Sequence, residues 1–164
     1  MSLRPSSLNL EFAHRQYETM GGGAFRSART YLDFVVDGRS LGRELRTAGY
    51  DLVSVFTAEW TDSTLEEAAG RLLLTKNSNF PNGRRSLYVC GECGDLGCGA
   101  VSIVLDMKEE TAIWRDFGYE NTYEDVVRFE ELRSLGPFQF SLEGYRRTIE
   151  SALTFIRQAP GSLT

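Results

Sequence analysis

Three cysteines lie within nine residues of this 164-residue chain, in the segment Cys90-Gly-Glu-Cys-Gly-Asp-Leu-Gly-Cys98. Thiolates bind zinc, and a Cys-x-x-Cys turn between two strands lets two thiolates reach the same ion. Cys98 could supply a third thiolate from the start of the next strand. Glycines at positions 91, 94, 97 and 99 allow the positive φ angles that a tightly wound turn needs. The types and spacing of these residues predict a candidate metal site, with zinc as the candidate ion.

The fourth ligand of such a site is not evident from the turn itself. A structural zinc site closes with four protein ligands. The chain has one histidine, so the predicted ligating residues are Cys90, Cys93, Cys98 and His14. Asp95 inside the turn, a water molecule or a second subunit are the alternatives for the fourth position. An open fourth position would be typical of a catalytic zinc. A single histidine excludes enzymes that need several.

The same cysteines allow two interpretations without a metal. In redox proteins of the thioredoxin type, the first cysteine of Cys-x-x-Cys lies at the N-terminus of a helix, which lowers its pKa. Here the sequence Gly94-Asp-Leu-Gly-Cys-Gly99 follows the pair, and no helix is predicted to begin there. Alternatively, the cysteines pack as small apolar side chains in a glycine-rich hairpin. Metal binding, thiol chemistry and plain burial all stay open.

The composition predicts an acidic globular domain. Hydrophobic residues make up 41% of the chain, charged residues 25%, and the net charge is −5. A negative chain argues against binding to nucleic-acid phosphates. The apolar runs are too short for a membrane span, and the first residues lack the apolar stretch of a signal peptide. Three clustered cysteines also do not suit a secreted disulfide framework. We therefore expect a cytoplasmic protein without a nucleic-acid or membrane partner.

Residues 106–131 are strongly acidic. Their charge is −6, against +1 for the rest of the chain. The acidic side chains are Asp106, Glu109, Glu110, Asp116, Glu120, Glu124, Asp125, Glu130 and Glu131. Such a surface can steer a cationic partner, so a protein partner is predicted at this segment. The alternative is a solvated face that only keeps the protein in solution.

The elements that must position these residues predict an α+β fold, a mainly antiparallel β-meander with about three helices packed on it. Alternation of apolar and polar residues predicts a strand over 8–17, and β-branched and aromatic residues before the turn Asp37-Gly38 predict one over 30–36. Further strands are predicted over 86–90, 100–107, 111–119 and 136–140. Capping residues and helical periodicity predict helices over 41–48, 64–74 and from 142 to about 156. We expect a single domain over residues 1–164, with 1–7 a disordered terminus.

One strand position could carry acid chemistry. Strict alternation along residues 111–119 would place Trp114 and Asp116 on the same face. A carboxyl group packed beside an indole ring can have a raised pKa. The alternative is that Asp116 is hydrogen-bonded to a neighbouring strand or loop.

Three stretches follow one another in a recognisable order: Tyr31-Leu-Asp-Phe-Val-Val-Asp-Gly-Arg-Ser-Leu41, then Cys90–Gly99 with Trp114-Arg-Asp-Phe117, then Gly136-Pro-Phe-Gln-Phe140 with Tyr145. Together they resemble a family of uncharacterised bacterial proteins. Its members have a strand ending in D-G-x-x-L, a glycine-rich three-cysteine turn, a W-x-D-F strand and G-P-F-x-F before a last helix with a tyrosine. The resemblance covers about residues 30–155 and implies the same order of elements. It implies no activity, because none is established for the family.

Two hypotheses about function follow. The first, which we favour, is a small non-enzymatic binding protein with a structural cysteine turn, with or without zinc, and an acidic region that faces a partner. The second is a metal- or thiol-dependent enzyme centred on Cys90, Cys93 and Cys98. It predicts an accessible thiolate or a bound metal with an open position.

Overall fold

Antiparallel pairing organises most of the chain in the computed structural model, which describes residues 3–158. The strands are β1 (Leu8–Arg15), β2 (Glu18–Thr19), β3 (Phe25–Arg26), β4 (Arg29–Val36), β5 (Arg39–Ser40), β6 (Val53–Ser54), β7 (Arg85–Val89), β8 (Ala100–Lys108), β9 (Thr111–Glu120) and β10 (Phe138–Ser141). The helices are α1 (Leu41–Thr47), α2 (Asp62–Leu72), α3 (Leu142–Glu150) and α4 (Ala152–Ile156). The predicted α+β class is confirmed.

Two main sheets make up the framework. The larger has the order β10-β9-β8-β7-β6, and the smaller has the order β1-β4-β5. Backbone hydrogen bonds join the two sheets at both sides: Leu32 N donates to Phe56 O at 2.9 Å, and Ser6 N donates to Gln139 O at 2.7 Å. The strands β2 and β3 form a separate hairpin. The cysteine turn, residues 90–99, connects β7 to β8 in the larger sheet.

The helices begin at polar capping residues. The hydroxyl groups of Ser40 and Ser141 accept hydrogen bonds from backbone N–H groups of α1 and α3, as their positions predict. Helix α2 begins two residues earlier than predicted, because Thr61 supplies the cap by accepting from Thr64 N. The last predicted helix is divided at Ser151 into α3 and α4. Within residues 3–158, the helices are too short and too polar to cross a membrane.

The core is centred on the indole ring of Trp114 in β9, which is fully buried. Its ring packs edge-on against Phe34 and Phe140, with centroids 5.4 and 5.1 Å away. Trp114 Nε1 donates to the hydroxyl of Tyr145, and this hydroxyl donates to Leu72 O at 2.7 Å. The two bonds tie β9, α3 and α2 together. Strand β8, which begins directly after the cysteine turn, pairs with β9 and is thereby joined to this core.

Strand β9 contains an irregularity that the alternation rule misses. Asp116 has a φ of 54°, and the register between β8 and β9 shifts nearby. As a result, Arg115 and Asp116 are both exposed, while Trp114 and Phe117 on either side are both buried. The prediction that Trp114 and Asp116 share a face is wrong. Asp116 instead forms an exposed ion pair with Arg115 at 2.5 Å.

The N-terminal segment contacts the body of the domain. The hydroxyl of Ser6 and the backbone N–H of Ser7 both donate to the carboxylate of Asp37, at 2.8 and 2.9 Å. Residues 1 and 2 of the segment predicted to be disordered, and the last six residues of the chain, lie outside the described residues.

Candidate metal centre at the cysteine turn

Local hydrogen bonds close the cysteine turn. Gly94 N donates to Cys90 O at 2.9 Å, which closes the first loop of the turn. Asp95 N then donates to Cys93 Sγ at 3.3 Å, and the carboxylate of Asp95 accepts from Gly97 N at 2.8 Å. These local bonds fold ten residues back on themselves between two paired strands. They bring all three cysteine side chains to one side of the turn.

The three sulfur atoms form a compact group. They all lie within 4.8 Å of one another, and Cys93 Sγ is 3.3 Å from Cys98 Sγ. Cys90 is half-buried, whereas Cys93 and Cys98 are exposed. In a tetrahedral site with the usual Zn–S distance of about 2.3 Å, the sulfur atoms are about 3.8 Å apart. This distance lies between the 3.3 Å of the Cys93–Cys98 pair and the upper limit of 4.8 Å for the three sulfur atoms. The three cysteines could therefore hold one metal ion with small movements of their side chains.

The surroundings of the turn favour a thiolate at Cys90 and oppose a second thiolate at Cys98. Burial raises the pKa of Cys90, but the N–H groups of Cys93 and Glu92 and the neighbouring thiols outweigh it, so that this pKa is lowered. The hydrogen bond with Cys93 and the charge of Cys90 raise the pKa of Cys98 to about 12. A bound cation would remove this repulsion and displace the remaining protons. The turn is thus suited to a divalent ion.

Each glycine of the turn packs against a side chain. A Cβ would lie closer than 3.0 Å to Arg15 at Gly91, to Tyr123 at Gly97 and to Tyr119 at Gly99, whereas Trp60 stands at ordinary contact distance from Gly94. Of the four glycines, Gly94 (67°) and Gly99 (102°) have a positive φ. The other two glycines are therefore explained by close packing. The turn is the place where β1, the start of α2, β9 and the acidic segment meet.

Glu92, between the two cysteines of the Cys-x-x-Cys motif, fastens the turn to the smaller sheet. Its carboxylate accepts from Arg15 Nη2 at 2.6 Å and from both the N–H and the hydroxyl of Ser27 at 2.7 Å. Arg29 Nε donates to Gly91 O at 2.7 Å, and its guanidinium lies over the ring of Trp60. These contacts fasten the first half of the turn to residues at and next to the smaller sheet.

The structure does not bring His14 to the cysteines. Its side chain is exposed on β1, with Nδ1 3.1 Å from the hydroxyl of Thr30. Successive side chains of a strand point to opposite faces, so Arg15, which reaches the turn, excludes the same orientation for His14. Among residues 3–158, the group of mutually close ligand atoms contains the three cysteines and neither His14 nor Asp95.

The acidic residues of segment 106–131 fall into separate patches. Glu109 and Glu110 lie at the turn between β8 and β9, at the far end of the hairpin from the cysteines. Glu120 is buried against Arg84, with Glu120 Oε2 3.1 Å from Arg84 Nε. The acidic loop, residues 121–131, lies beside the cysteine turn through the ring of Tyr123 at Gly97.

Comparisons with protein-family models, with curated protein sequences and with solved structures find no match to this chain. The resemblance to a bacterial family stays a prediction, and the site is interpreted from its own geometry. Sequence reasoning missed the residues that position the turn, which are Arg15, Ser27, Arg29, Trp60 and Glu92. Gly91 was the available signal, because a glycine in a turn indicates either a positive φ or a close neighbour, and its neighbour here is Arg15.

Proposed function

We propose that the protein is a non-enzymatic interaction protein in which zinc, held by Cys90, Cys93 and Cys98, fixes the cysteine turn and thereby orders an acidic surface for a partner protein. One observation carries the proposal. Three sulfur atoms lie within 4.8 Å of one another in a turn whose backbone N–H groups are aimed at sulfur. Soft thiolate donors select zinc, copper(I) or iron, and zinc suits a site without redox chemistry.

The contact between the turn and the acidic loop supports the second half of the proposal. The ring of Tyr123 packs on Gly97, yet the residue is 82% exposed, and Val126 nearby is 56% exposed. Within the described residues, Asp125 and Glu130 form no ion pair, whereas Glu120 pairs with Arg84 and Glu124 with Arg128. An exposed aromatic side chain in an acidic loop is typical of a site for a basic partner with an apolar pocket.

Metal content tests the first half. Protein purified without chelator should contain about one zinc per chain, with its thiols masked until it is unfolded. Cys93→Ser should lose the ion, whereas the control His14→Ala should keep it, because the imidazole does not reach the sulfur atoms. Metal-free protein whose three thiols react at the same rate in the native and unfolded states would overturn the proposal.

Hydrogen exchange tests the link to the acidic loop. Removal of zinc by a chelator should accelerate exchange of the amides of residues 121–127 and leave those of β9 unchanged. The same treatment of Cys93→Ser should have no effect. Equal exchange of the loop with and without zinc would separate the metal site from the acidic surface.

Charge reversal tests the partner surface. Asp125→Lys with Glu130→Lys should weaken capture of the partner from cell extract. Glu109→Lys with Glu110→Lys is the matched control, since it makes the same change of charge at the other end of the hairpin. Equal loss in both variants would mean that net charge, and not the acidic loop, determines binding.

The alternative of a metal- or thiol-dependent enzyme rests on the missing fourth protein ligand, which is typical of catalytic zinc. A carboxylate within the turn could act as general base in such an enzyme. The two carboxylates within the turn, those of Glu92 and Asp95, both accept hydrogen bonds that hold the turn. This favours the interaction role.

A further inference from the structure

A cavity of about 260 Å³ lies between the cysteine turn and helix α2. Cys93 and Gly94 line one end, and Trp60, Thr64 and Arg71 line the side toward the helix. The volume is below the roughly 300–1,000 Å³ typical of sites for drug-sized molecules, so the cavity suits a smaller ligand. Cys93, one of the three candidate metal ligands, is part of its wall.

The candidate metal centre lacks a fourth ligand from its own chain. Among residues 3–158, the group of mutually close ligand atoms consists of the three cysteine sulfur atoms. Residues 1–2 and 159–164 contain no cysteine, histidine or acidic residue. Tetrahedral zinc takes four ligands, and a set of three thiolates favours a further soft donor. An ion bound to Cys93 lies next to the cavity, from which such a donor can reach it.

The walls of the cavity combine an apolar part with charged groups, so they could contact both the carbon chain and a charged end of a small molecule. Apolar side chains form one part of the lining, and they are Val55, Ala68, Val89 and Leu96. The charged groups that line it are Arg71 and Glu59. Glu59 accepts a hydrogen bond from Thr30 N at 3.1 Å. Arg71 forms an exposed ion pair with Glu67 at 3.4 Å, which a ligand carboxylate can replace.

We propose that this cavity binds a small organic thiol that carries a carboxylate. Its thiolate completes the coordination of the metal held by Cys90, Cys93 and Cys98, its carbon chain packs on the apolar wall, and its carboxylate pairs with Arg71. On binding, the S–H bond of the ligand breaks and its proton passes to solvent, a metal–sulfur bond forms, and no atom changes oxidation state. This inference rests on the proposed metal site and names the ligand of its fourth position.

Cobalt-substituted protein provides the test, because the visible absorption of tetrahedral Co²⁺ changes with its ligands. The probe is 3-mercaptopropionate. Its controls are 2-mercaptoethanol, which lacks the carboxylate, and propionate, which lacks the thiol. We expect 3-mercaptopropionate to bind about tenfold more tightly than 2-mercaptoethanol, since a charge-assisted hydrogen bond to Arg71 is gained, and propionate to leave the spectrum unchanged. Cobalt must stay with the protein on gel filtration.

Variants locate the ligand. Thr64→Phe fills the cavity from the exposed face of α2 and should weaken binding of 3-mercaptopropionate at least about tenfold. Glu66→Phe is the control, because Glu66 lies two residues further along α2 and does not line the cavity. Asn79→Trp fills the cavity from its other wall and serves if Thr64→Phe unfolds. Arg71→Met should abolish the preference for 3-mercaptopropionate over 2-mercaptoethanol.

The outcomes separate the two proposals. Failure of the wild-type chain to bind cobalt would remove the metal site and this inference with it. Cobalt binding without a spectral response to either thiol would overturn the inference alone. A thiol response that persists in both cavity-filling variants would also overturn it, because the fourth ligand would then approach from solvent.

Discussion

Substitution of Gly99 tests the packing of the cysteine turn on β9. Gly99 has φ 102° and ψ 148°, a region that side chains with a Cβ rarely adopt. A Cβ here would also overlap the hydroxyl end of Tyr119, whose ring is stacked on Tyr50 with centroids 4.8 Å apart. Gly99→Ala therefore forces the end of the turn, the tyrosine pair, or both, to move.

The expected cost has two parts. The backbone strain contributes about 1–3 kcal/mol. Displacement of Tyr119 from its stacked partner contributes about 0.5–1.5 kcal/mol more. We therefore expect Gly99→Ala to lower the free energy of unfolding by about 1.5–4.5 kcal/mol. Gly97→Ala provides the contrast, because its φ is not positive and its Cβ would lie 2.6 Å from the ring of Tyr123, which is 82% exposed and free to turn. Its cost should stay under about 1 kcal/mol.

Urea denaturation followed by circular dichroism measures both variants, first metal-free and then with zinc. The metal-free comparison isolates the packing, since no change in metal affinity contributes to it. With zinc present, the difference between wild type and Gly99→Ala should grow if the distorted turn binds the ion less tightly. Equal stability of the two alanine variants in the metal-free state would refute the assigned role of Gly99.

Three further predictions concern the turn and its support. Hydrogen bonds from a backbone N–H and a hydroxyl, and then a neighbouring guanidinium, hold the pKa of Glu92 below its ordinary value of 4.5. The ionised carboxylate of Glu92 therefore stabilises the folded protein above pH 4.5, and this contribution is lost as the pH falls through the lowered pKa. Glu92→Gln should accordingly make the urea midpoint fall less steeply at acid pH. Diamide, which takes up two electrons and two protons, should first react at Cys90, whose pKa is lowered, and join it to a neighbouring cysteine in metal-free protein, as peptide mapping would show, and zinc should protect the thiols. Glu120→Gln should cost about 3–5 kcal/mol in denaturation, because it leaves Arg84 buried without its charge partner, and a loss under about 1 kcal/mol would contradict this.

The fold could be predicted where local chemistry determines it. Ser40 and Ser141 mark helix starts because a hydroxyl before an apolar periodic stretch satisfies free N–H groups. The bulge at Asp116 could not be predicted in this way. A positive φ at a residue other than glycine leaves no mark in a sequence, and one such residue reverses the faces of all that follow. The rule of alternation therefore failed for the second half of β9.

In the candidate site, too, local features could be predicted from the sequence and long-range contacts could not. The convergence of the three cysteines agrees with their spacing, because a short glycine-rich turn between two paired strands keeps its residues close together. The contact of Arg15 with Glu92 joins residues 77 positions apart, and only the packing of the two sheets determines it. His14 was a reasonable fourth ligand by residue type, but the alternation of β1 gives the position facing the turn to Arg15.

The support around the turn determines what zinc would do there. A classical zinc finger is unfolded without its ion because it has little else to hold it. This chain has a core centred on Trp114, and its turn is fastened by Glu92 and by packing on all four of its glycines. The thiols are therefore close together before an ion arrives, and little binding energy is spent on ordering them. Removal of zinc should leave the domain folded and loosen only the turn and the acidic loop that rests on it through Tyr123. A local effect of this kind is what a metal-dependent interaction surface requires.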